Sequence, residues 1–134
     1  MSTFVHFRVC PAAAITSLTF QTLNGSSEPY ETAESLRTSS LPLVEERGIA
    51  ALKIGMLPTA ELVLEVARLL AETDLPAPVI DPVFQSSSGY ELMEKEAIEA
   101  LVTELDAFGS FVDAEYPCSR SLDRTTNYRR RRDA

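Results

Sequence analysis

The sequence predicts an α/β fold of three layers, in which helices lie on both faces of a mainly parallel sheet. Short apolar runs rich in β-branched residues alternate with segments whose apolar residues recur at helical spacing. This alternation is typical of βαβ units, whose right-handed crossovers place helices against the sheet. The length of 134 residues fits one domain, and a hydrophobic content of 45% suffices for a packed core.

The N-terminal third predicts two extended segments and a helix. Phe4 to Val9 alternates apolar and polar residues, as either a half-buried strand or an extended arm would. Ala12 to Leu23 is rich in β-branched residues and ends at the polar turn Asn24 to Ser27, so we expect a strand there. A helical pattern starts at Thr32, the expected N-cap, but Pro42 lacks an N–H and predicts a kink or two short helices.

The central segments have the clearest patterns. Ile49 to Gly55 is an apolar run between glycines, which predicts a strand covered on both faces. Thr59 is the expected N-cap of a helix whose apolar stripe runs from Leu62 to Leu70. Pro76 to Val83 then predicts a short buried strand.

The C-terminal third predicts a helix, a strand and a tail. Apolar residues at helical spacing predict a helix near Lys95 to Leu105, and Phe111 with Val112 begins a final strand. Residues 119–134 lose this periodicity and end in the basic run Arg129 to Arg132. We therefore expect one α/β domain over residues 1–118 and a disordered tail over residues 119–134.

Charge and cysteine content exclude several classes of protein. Residues 1–119 carry 6 Lys and Arg against 18 Asp and Glu, whereas residues 120–134 carry 6 against 2. An acidic body argues against a nucleic-acid-binding domain, so a polyanion would have to bind the tail. Cys10 and Cys118 lack zinc or redox spacing and are expected to be reduced thiols. Without a leader or membrane-span pattern, we expect a soluble, cytoplasmic protein.

Two charged residues are candidates for a binding site. In parallel sheets, ligands bind beyond the carboxyl ends of the strands, which directs attention to residues 21–27, 55–58 and 81–89. Asp81 ends an apolar strand and faces a serine-rich loop, so it either serves a metal or phosphate group or caps the turn before Pro82. Lys53 either contacts an anion or extends its ammonium into solvent from a buried stem.

Three segments resemble motifs of a known family in the same order. Ala14 to Thr22 looks like the strand "ITALTAQNT", Leu52 to Leu57 is similar to "VKIGML", and Ile80 to Gly89 resembles "LDPVMVAKSG". These motifs are those of the hydroxymethylpyrimidine and phosphomethylpyrimidine kinases, members of the ribokinase-like superfamily. The resemblance covers residues 8–118 and implies part of a ribokinase-like domain.

The resemblance implies ATP-dependent phosphoryl transfer to an aminopyrimidine in thiamine biosynthesis, with ATP and Mg²⁺ as cofactors. Carried over by position, Gln21 would hydrogen-bond the pyrimidine ring, Met56 would pack on it, and Val83 would line the same pocket. Asp81 would serve the metal and the phosphates, and Lys53 would belong to the same nucleotide and phosphate region. An amide, apolar side chains and a carboxylate suit these tasks.

Other family motifs are not matched. The glycine-rich segment "GSDSSGGAGIQAD" has no counterpart in Met1 to Val9, Ser87 replaces a lysine, and "TPN.PE" aligns with Asp113 to Cys118. The "GTGC" anion hole and catalytic residue are also unmatched, so no catalytic residue is assigned. We therefore expect weak or no kinase activity from this chain alone. The alternative is a non-catalytic pyrimidine-binding or assembly module, which forms a homodimer or pairs with a complementing chain.

Overall fold

The structure, a computed structural model, describes residues 9–18, 21–22, 25–26, 32–46, 48–86, 89 and 91–111. Within these ranges the elements are β1 (Gln21–Thr22), β2 (Gly25–Ser26), α1 (Ala33–Glu46), β3 (Lys53–Ile54), α2 (Ala60–Glu72), β4 (Val79–Ile80), α3 (Lys95–Leu105) and β5 (Ser110–Phe111). β1 and β2 form an antiparallel pair, and β3, β4 and β5 form a parallel sheet in that order. The predicted α/β class with a parallel sheet is therefore confirmed.

Helices α2 and α3 begin and end where the apolar periodicity predicts. The Thr59 hydroxyl accepts a hydrogen bond of 3.4 Å from the Leu62 N–H, which confirms the expected N-cap of α2. The two helices pack on each other and on the sheet face that carries Ile54 and Ile80. Side chains at the centre of this core are fully buried, each contributing about 1.5–3 kcal/mol. They include Leu57, Leu62, Val63, Ile80, Leu101 and Leu105.

Helix α1 is continuous, so the predicted division at Pro42 is wrong. Thr32 is the N-cap as expected, because its hydroxyl accepts a hydrogen bond of 3.1 Å from the Ser35 N–H. Pro42 lies in the last turns of the helix, where its missing N–H costs the hydrogen bond to the carbonyl of Thr38. Both residues are exposed, so water can satisfy that carbonyl and the helix does not need to end.

The N-terminal strand is shorter than the sequence predicts. Residues 11–18 form no strand, although Ala14 packs against the core, and the strand pairing that the structure describes in this segment is that of Gln21–Thr22. The partner of this pair, Gly25–Ser26, falls inside the predicted turn. A β-branched run becomes a strand only where a neighbouring backbone is in register with it, which composition does not reveal. Within the predicted segment Phe4 to Val9, only Val9 is described, and it is exposed outside any strand.

The parallel strands are buried on one face only. Ile54 and Ile80 face the helices, whereas Lys53 is exposed and Val79 is 45% exposed on the opposite face. The expectation that Ile49 to Gly55 and Pro76 to Val83 are buried throughout is therefore wrong. Within the described residues the helices contact one another and lie over one face of the sheet, so helices on the second face stay a prediction.

The final strand, β5, lies where Phe111 predicts it, while Val112 and the tail from residue 119 lie outside the described residues. Cys10 is exposed and Cys118 lies outside the described residues, so the reduced state of the two thiols stays a prediction. Among the helices that the structure describes, none has the length and apolar character needed to cross a membrane.

A cluster of charges joins α1 to α2. Glu65 is only 5% exposed, and its carboxylate accepts hydrogen bonds of 2.8 Å from both Arg37 and Arg68. Arg37 also donates to Glu72. The hydrogen bonds to Glu65 and then to Glu72 raise the pKa of Arg37 above its ordinary value. Two guanidinium groups thus compensate the cost of burying one carboxylate between the helices.

Gly109 is predicted to be intolerant of a side chain. A Cβ there would collide with the carbonyl oxygen of Pro78 and lie 2.8 Å from its Cγ. That carbonyl accepts the Ser110 N–H at 3.1 Å, so the collision would strain the junction of β4 and β5. We expect Gly109→Ala to lower the free energy of unfolding by about 1–3 kcal/mol, measured by urea denaturation.

Gly48→Ala is the matched control, because a Cβ at Gly48 meets no atom within 4 Å. Its unfolding free energy should stay within about 0.5 kcal/mol of the parent value. Equal urea midpoints for the two variants would show that the close approach at Gly109 carries no energetic weight.

Candidate functional site

The parallel pairing of β3 and β4 places the segments that follow them at one edge of the sheet. The Val79 N–H donates to the Leu52 carbonyl and the Asp81 N–H donates to the Ile54 carbonyl, both at 2.9 Å. Lys53 is opposite Val79 and Ile54 is opposite Ile80. Continuing this register by one residue places Asp81 opposite Gly55, directly beyond the paired strands.

Lys53 and Asp81 form an ion pair at this edge. Side chains alternate between sheet faces, so Lys53, Val79 and Asp81 emerge on the same face. The Lys53 Nζ lies 2.9 Å from the Asp81 Oδ2, and the two side chains are 56% and 38% exposed. Water screens such an exposed pair, which contributes about 0–1 kcal/mol to stability.

Gly55 allows the lysine to reach the carboxylate. A Cβ built on Gly55 would lie 3.6 Å from the Lys53 Nζ, so the ammonium occupies the space above this glycine. A larger side chain at position 55 would compete with the lysine for that space. The glycine after β3 therefore contributes to the geometry of the pair.

Met56 is attached to the N-terminal segment by a long-range hydrogen bond. The Thr16 hydroxyl donates to the Met56 carbonyl at 2.7 Å, although the residues are 40 positions apart. This bond fixes the connection after β3 against residues 14–18. Val83, two residues after Asp81, is 40% exposed, so its apolar side chain is available to a ligand.

The loop after β4 folds back on itself as a narrow hairpin. The Leu92 N–H donates to the Phe84 carbonyl at 2.7 Å, and Gln85 pairs with Glu91 in an antiparallel bridge. Gly89 closes the turn with a φ of 81° and donates its N–H to the Ser86 carbonyl. Positive φ favours glycine, which explains the turn at this end of the serine-rich segment. Ser87 and Ser88 lie outside the described residues.

A further hydrogen bond joins the two connections that follow β3 and β4. The Glu94 N–H, at the start of α3, donates to the Pro58 carbonyl at 2.9 Å, one residue before the Thr59 cap of α2. The beginnings of both helices therefore lie next to each other.

The structure brings Lys53 and Asp81 together and places Met56 and Val83 in the segments beside them. Gln21 lies in β1, and its side chain is outside what the structure describes. Sequence reasoning considered Lys53 and Asp81 separately and missed their pairing. The signal is their placement relative to Gly55: a lysine two residues before a glycine can lean along its strand toward a carboxylate opposite that glycine.

The residues at this edge suit a magnesium ion that brings its own ligands. Among the described residues, no group of three or more His, Cys, Asp and Glu side chains could enclose a metal. Mg²⁺ commonly binds through one or two carboxylates while phosphates and water supply its other ligands. Asp81 fits that arrangement.

Comparison with known sequences shows the family of this chain. A sequence model described as phosphomethylpyrimidine kinase matches residues 1–124. The chain belongs to the phosphomethylpyrimidine kinase family. In this chain, the family motif "KIGML" corresponds to Lys53–Leu57, and the motif "DPV" begins at Asp81.

Individual members of the phosphomethylpyrimidine kinase family match over part of their length. The chain is 40% identical to a hydroxymethylpyrimidine/phosphomethylpyrimidine kinase of Streptomyces coelicolor over 69% of this chain and 35% of that protein. It is 34% identical to the enzyme of that description from Aquifex aeolicus, over 76% of this chain and 40% of the other. The chain thus spans well under half the length of these relatives.

A solved phosphomethylpyrimidine kinase from Clostridium difficile 630 has the same fold over the matched part. Its TM-score is 0.70 with 28% sequence identity, and the match covers 81% of this chain and 47% of that structure. The predicted ribokinase-like architecture is confirmed by this similarity.

Thr16→Val tests the bond that anchors the connection after β3. Removing the hydroxyl should lower the free energy of unfolding by about 1 kcal/mol, because the Met56 carbonyl loses its donor. Amide hydrogen exchange should accelerate locally at residues 55–57. Thr38→Val, on the exposed face of α1, is the control and should leave exchange at these residues unchanged. Unaltered exchange in Thr16→Val would contradict an anchoring role.

Proposed function

We propose that this chain supplies the pyrimidine- and phosphate-binding part of an ATP-dependent hydroxymethylpyrimidine/phosphomethylpyrimidine kinase, with weak or no turnover as an isolated chain. The observation that carries the proposal is the ion pair between Lys53, in β3, and Asp81, directly after the parallel strand β4, with Met56 and Val83 in the segments that follow these strands. Opposite charges together with apolar side chains of the neighbouring segments suit a ligand with an apolar ring and a charged phosphate. The family and its solved member support this assignment.

Each side chain has a task that its chemistry suits. In the proposal, Met56 and Val83 contact the faces of the aminopyrimidine ring, and the Gln21 amide reads its ring nitrogen and amino group. Lys53 attracts a phosphate, and Asp81 holds Mg²⁺ that arrives with ATP. The bound Mg²⁺ would neutralise charge on the phosphates during transfer.

Weak turnover follows from the electrostatics of phosphoryl transfer. The transition state spreads negative charge over the transferred group, and preorganised donors usually provide most of its stabilisation. Lys53 is already neutralised by Asp81, and the anion-hole motif of the family is not matched in this sequence. The chain can therefore still bind its ligands although it no longer accelerates phosphoryl transfer.

Gln21→Ala tests the pyrimidine site. Calorimetry with hydroxymethylpyrimidine should detect binding by the unaltered chain, and the variant should bind about tenfold more weakly because it loses hydrogen bonds to the ring. Thr38→Ala, on the exposed side of α1, is the control and should bind normally. A folded, unaltered chain that releases no heat with this ligand would rule the pyrimidine site out. An ADP-release assay with ATP and Mg²⁺ should show little or no turnover.

A second candidate function, assembly with a complementing chain, is favoured by the open face of the sheet. Val79 is 45% exposed at the centre of the described sheet, beside exposed Lys53 and Ser110. The solved family member extends well beyond the matched region, since the match covers 47% of it. We infer that a chain carrying the remainder of the family fold would cover this face.

Co-purification with the part of the Streptomyces coelicolor relative that this chain does not match tests this assembly. Val79→Lys should abolish capture by placing a charge in the buried contact. Leu64→Lys, at a position that is likewise 45% exposed but on α2, is the matched control and should retain it. Equal capture by both variants would exclude the open sheet face as the contact. A dimer of the chain alone in light scattering would identify a second copy as the occupant instead.

A further inference from the structure

The Lys53/Asp81 pair has two members that bind opposite kinds of ligand. Asp81 is the carboxylate available to a divalent cation, and Lys53 is the ammonium available to a phosphate, yet each neutralises the other at 2.9 Å. We propose that this pair couples the two ligands, so that a divalent cation and a phosphate bind more tightly together than either does alone. The inference rests on the phosphate-binding part of the proposed function and is independent of its pyrimidine site.

The coupling follows from the cost of breaking the pair. A cation that binds the Asp81 carboxylate separates it from the Lys53 ammonium, which then lacks a counter-charge. A phosphate that binds Lys53 likewise leaves the Asp81 carboxylate without a counter-charge. Either ligand alone must therefore overcome the whole attraction within the pair. When both bind, that attraction is lost only once, so each ligand raises the affinity of the other by the same factor.

The local geometry allows the exchange without unfolding. The two side chains are 56% and 38% exposed, so each reaches solvent when the pair opens. The Asp81 backbone stays fixed by its hydrogen bond to the Ile54 carbonyl, and the space above Gly55 lets the lysine move along the sheet surface. An exposed pair of this kind corresponds to a coupling of about two- to fivefold.

The distinctive consequence is that removing the charge of one residue of the pair strengthens ligand binding by the other residue. Lys53→Met should raise the affinity of the chain for Mg²⁺ by about two- to fivefold and abolish its response to inorganic phosphate. Asp81→Asn should do the reverse, with tighter phosphate binding and no response to Mg²⁺. Both affinities can be read from the backbone amide signals of Gly55 and residue 81 in NMR titrations with Mg²⁺ and with inorganic phosphate.

Matched variants separate coupling from general charge effects. Lys53→Arg keeps the positive charge and should retain coupling, whereas Asp74→Asn removes an exposed carboxylate just beyond α2 and should change neither affinity. The double variant Lys53→Met/Asp81→Asn should respond to neither ligand and provides the blank. Circular dichroism of each variant establishes that it is folded.

The decisive outcome is the sign of the change in Mg²⁺ affinity. Unchanged or weaker Mg²⁺ binding by folded Lys53→Met, including no response up to the solubility limit, overturns the coupling. Failure of the pyrimidine titration would leave these Mg²⁺ and phosphate titrations intact, so the two proposals fail separately. Added sodium chloride should reduce the coupling in the unaltered chain, because salt screens an exposed pair.

Discussion

The parallel register between β3 and β4 is the constraint on which the site depends. Two backbone hydrogen bonds, to the carbonyls of Leu52 and Ile54, set this register. Parallel strands end at the same edge, so the register determines which residue after β4 lies beside which residue of β3. A shift of one residue would turn Asp81 to the helix side of the sheet and bury a carboxylate in the apolar core. Fold and site are therefore specified by the same few hydrogen bonds.

Sequence patterns predicted the helices far better than the strands. The apolar stripes of α2 and α3 span several turns, and capping by Thr59 and Thr32 adds a local signal, so these boundaries were readable. The paired strands contain only two residues each, which is too short for an alternation to identify the buried face. The predicted division of α1 at Pro42 was wrong. Proline usually interrupts a helix, and the exposure of Pro42 near the end of α1 could not be known from sequence.

The candidate residues of the site come from the sequence and stay predictions, whereas their geometry comes from the structure. Motif resemblance identified Asp81, Met56 and Val83, while the proximity of Lys53 to Asp81 depends on register and on the space above Gly55. The link from Thr16 to Met56 joins residues far apart in the chain, and no local pattern encodes such a contact. Composition and periodicity therefore do not predict long-range contacts or strand register.

The hydrogen bond between Glu94 and Pro58 has a mechanical consequence. It fastens the start of α3 to the segment just before α2, so the connections after β3 and β4 share one attachment. A ligand that draws either connection toward itself also displaces the start of the other helix. The connections after β3 and β4 are therefore mechanically coupled, because a displacement of one is transmitted to the other through this backbone hydrogen bond.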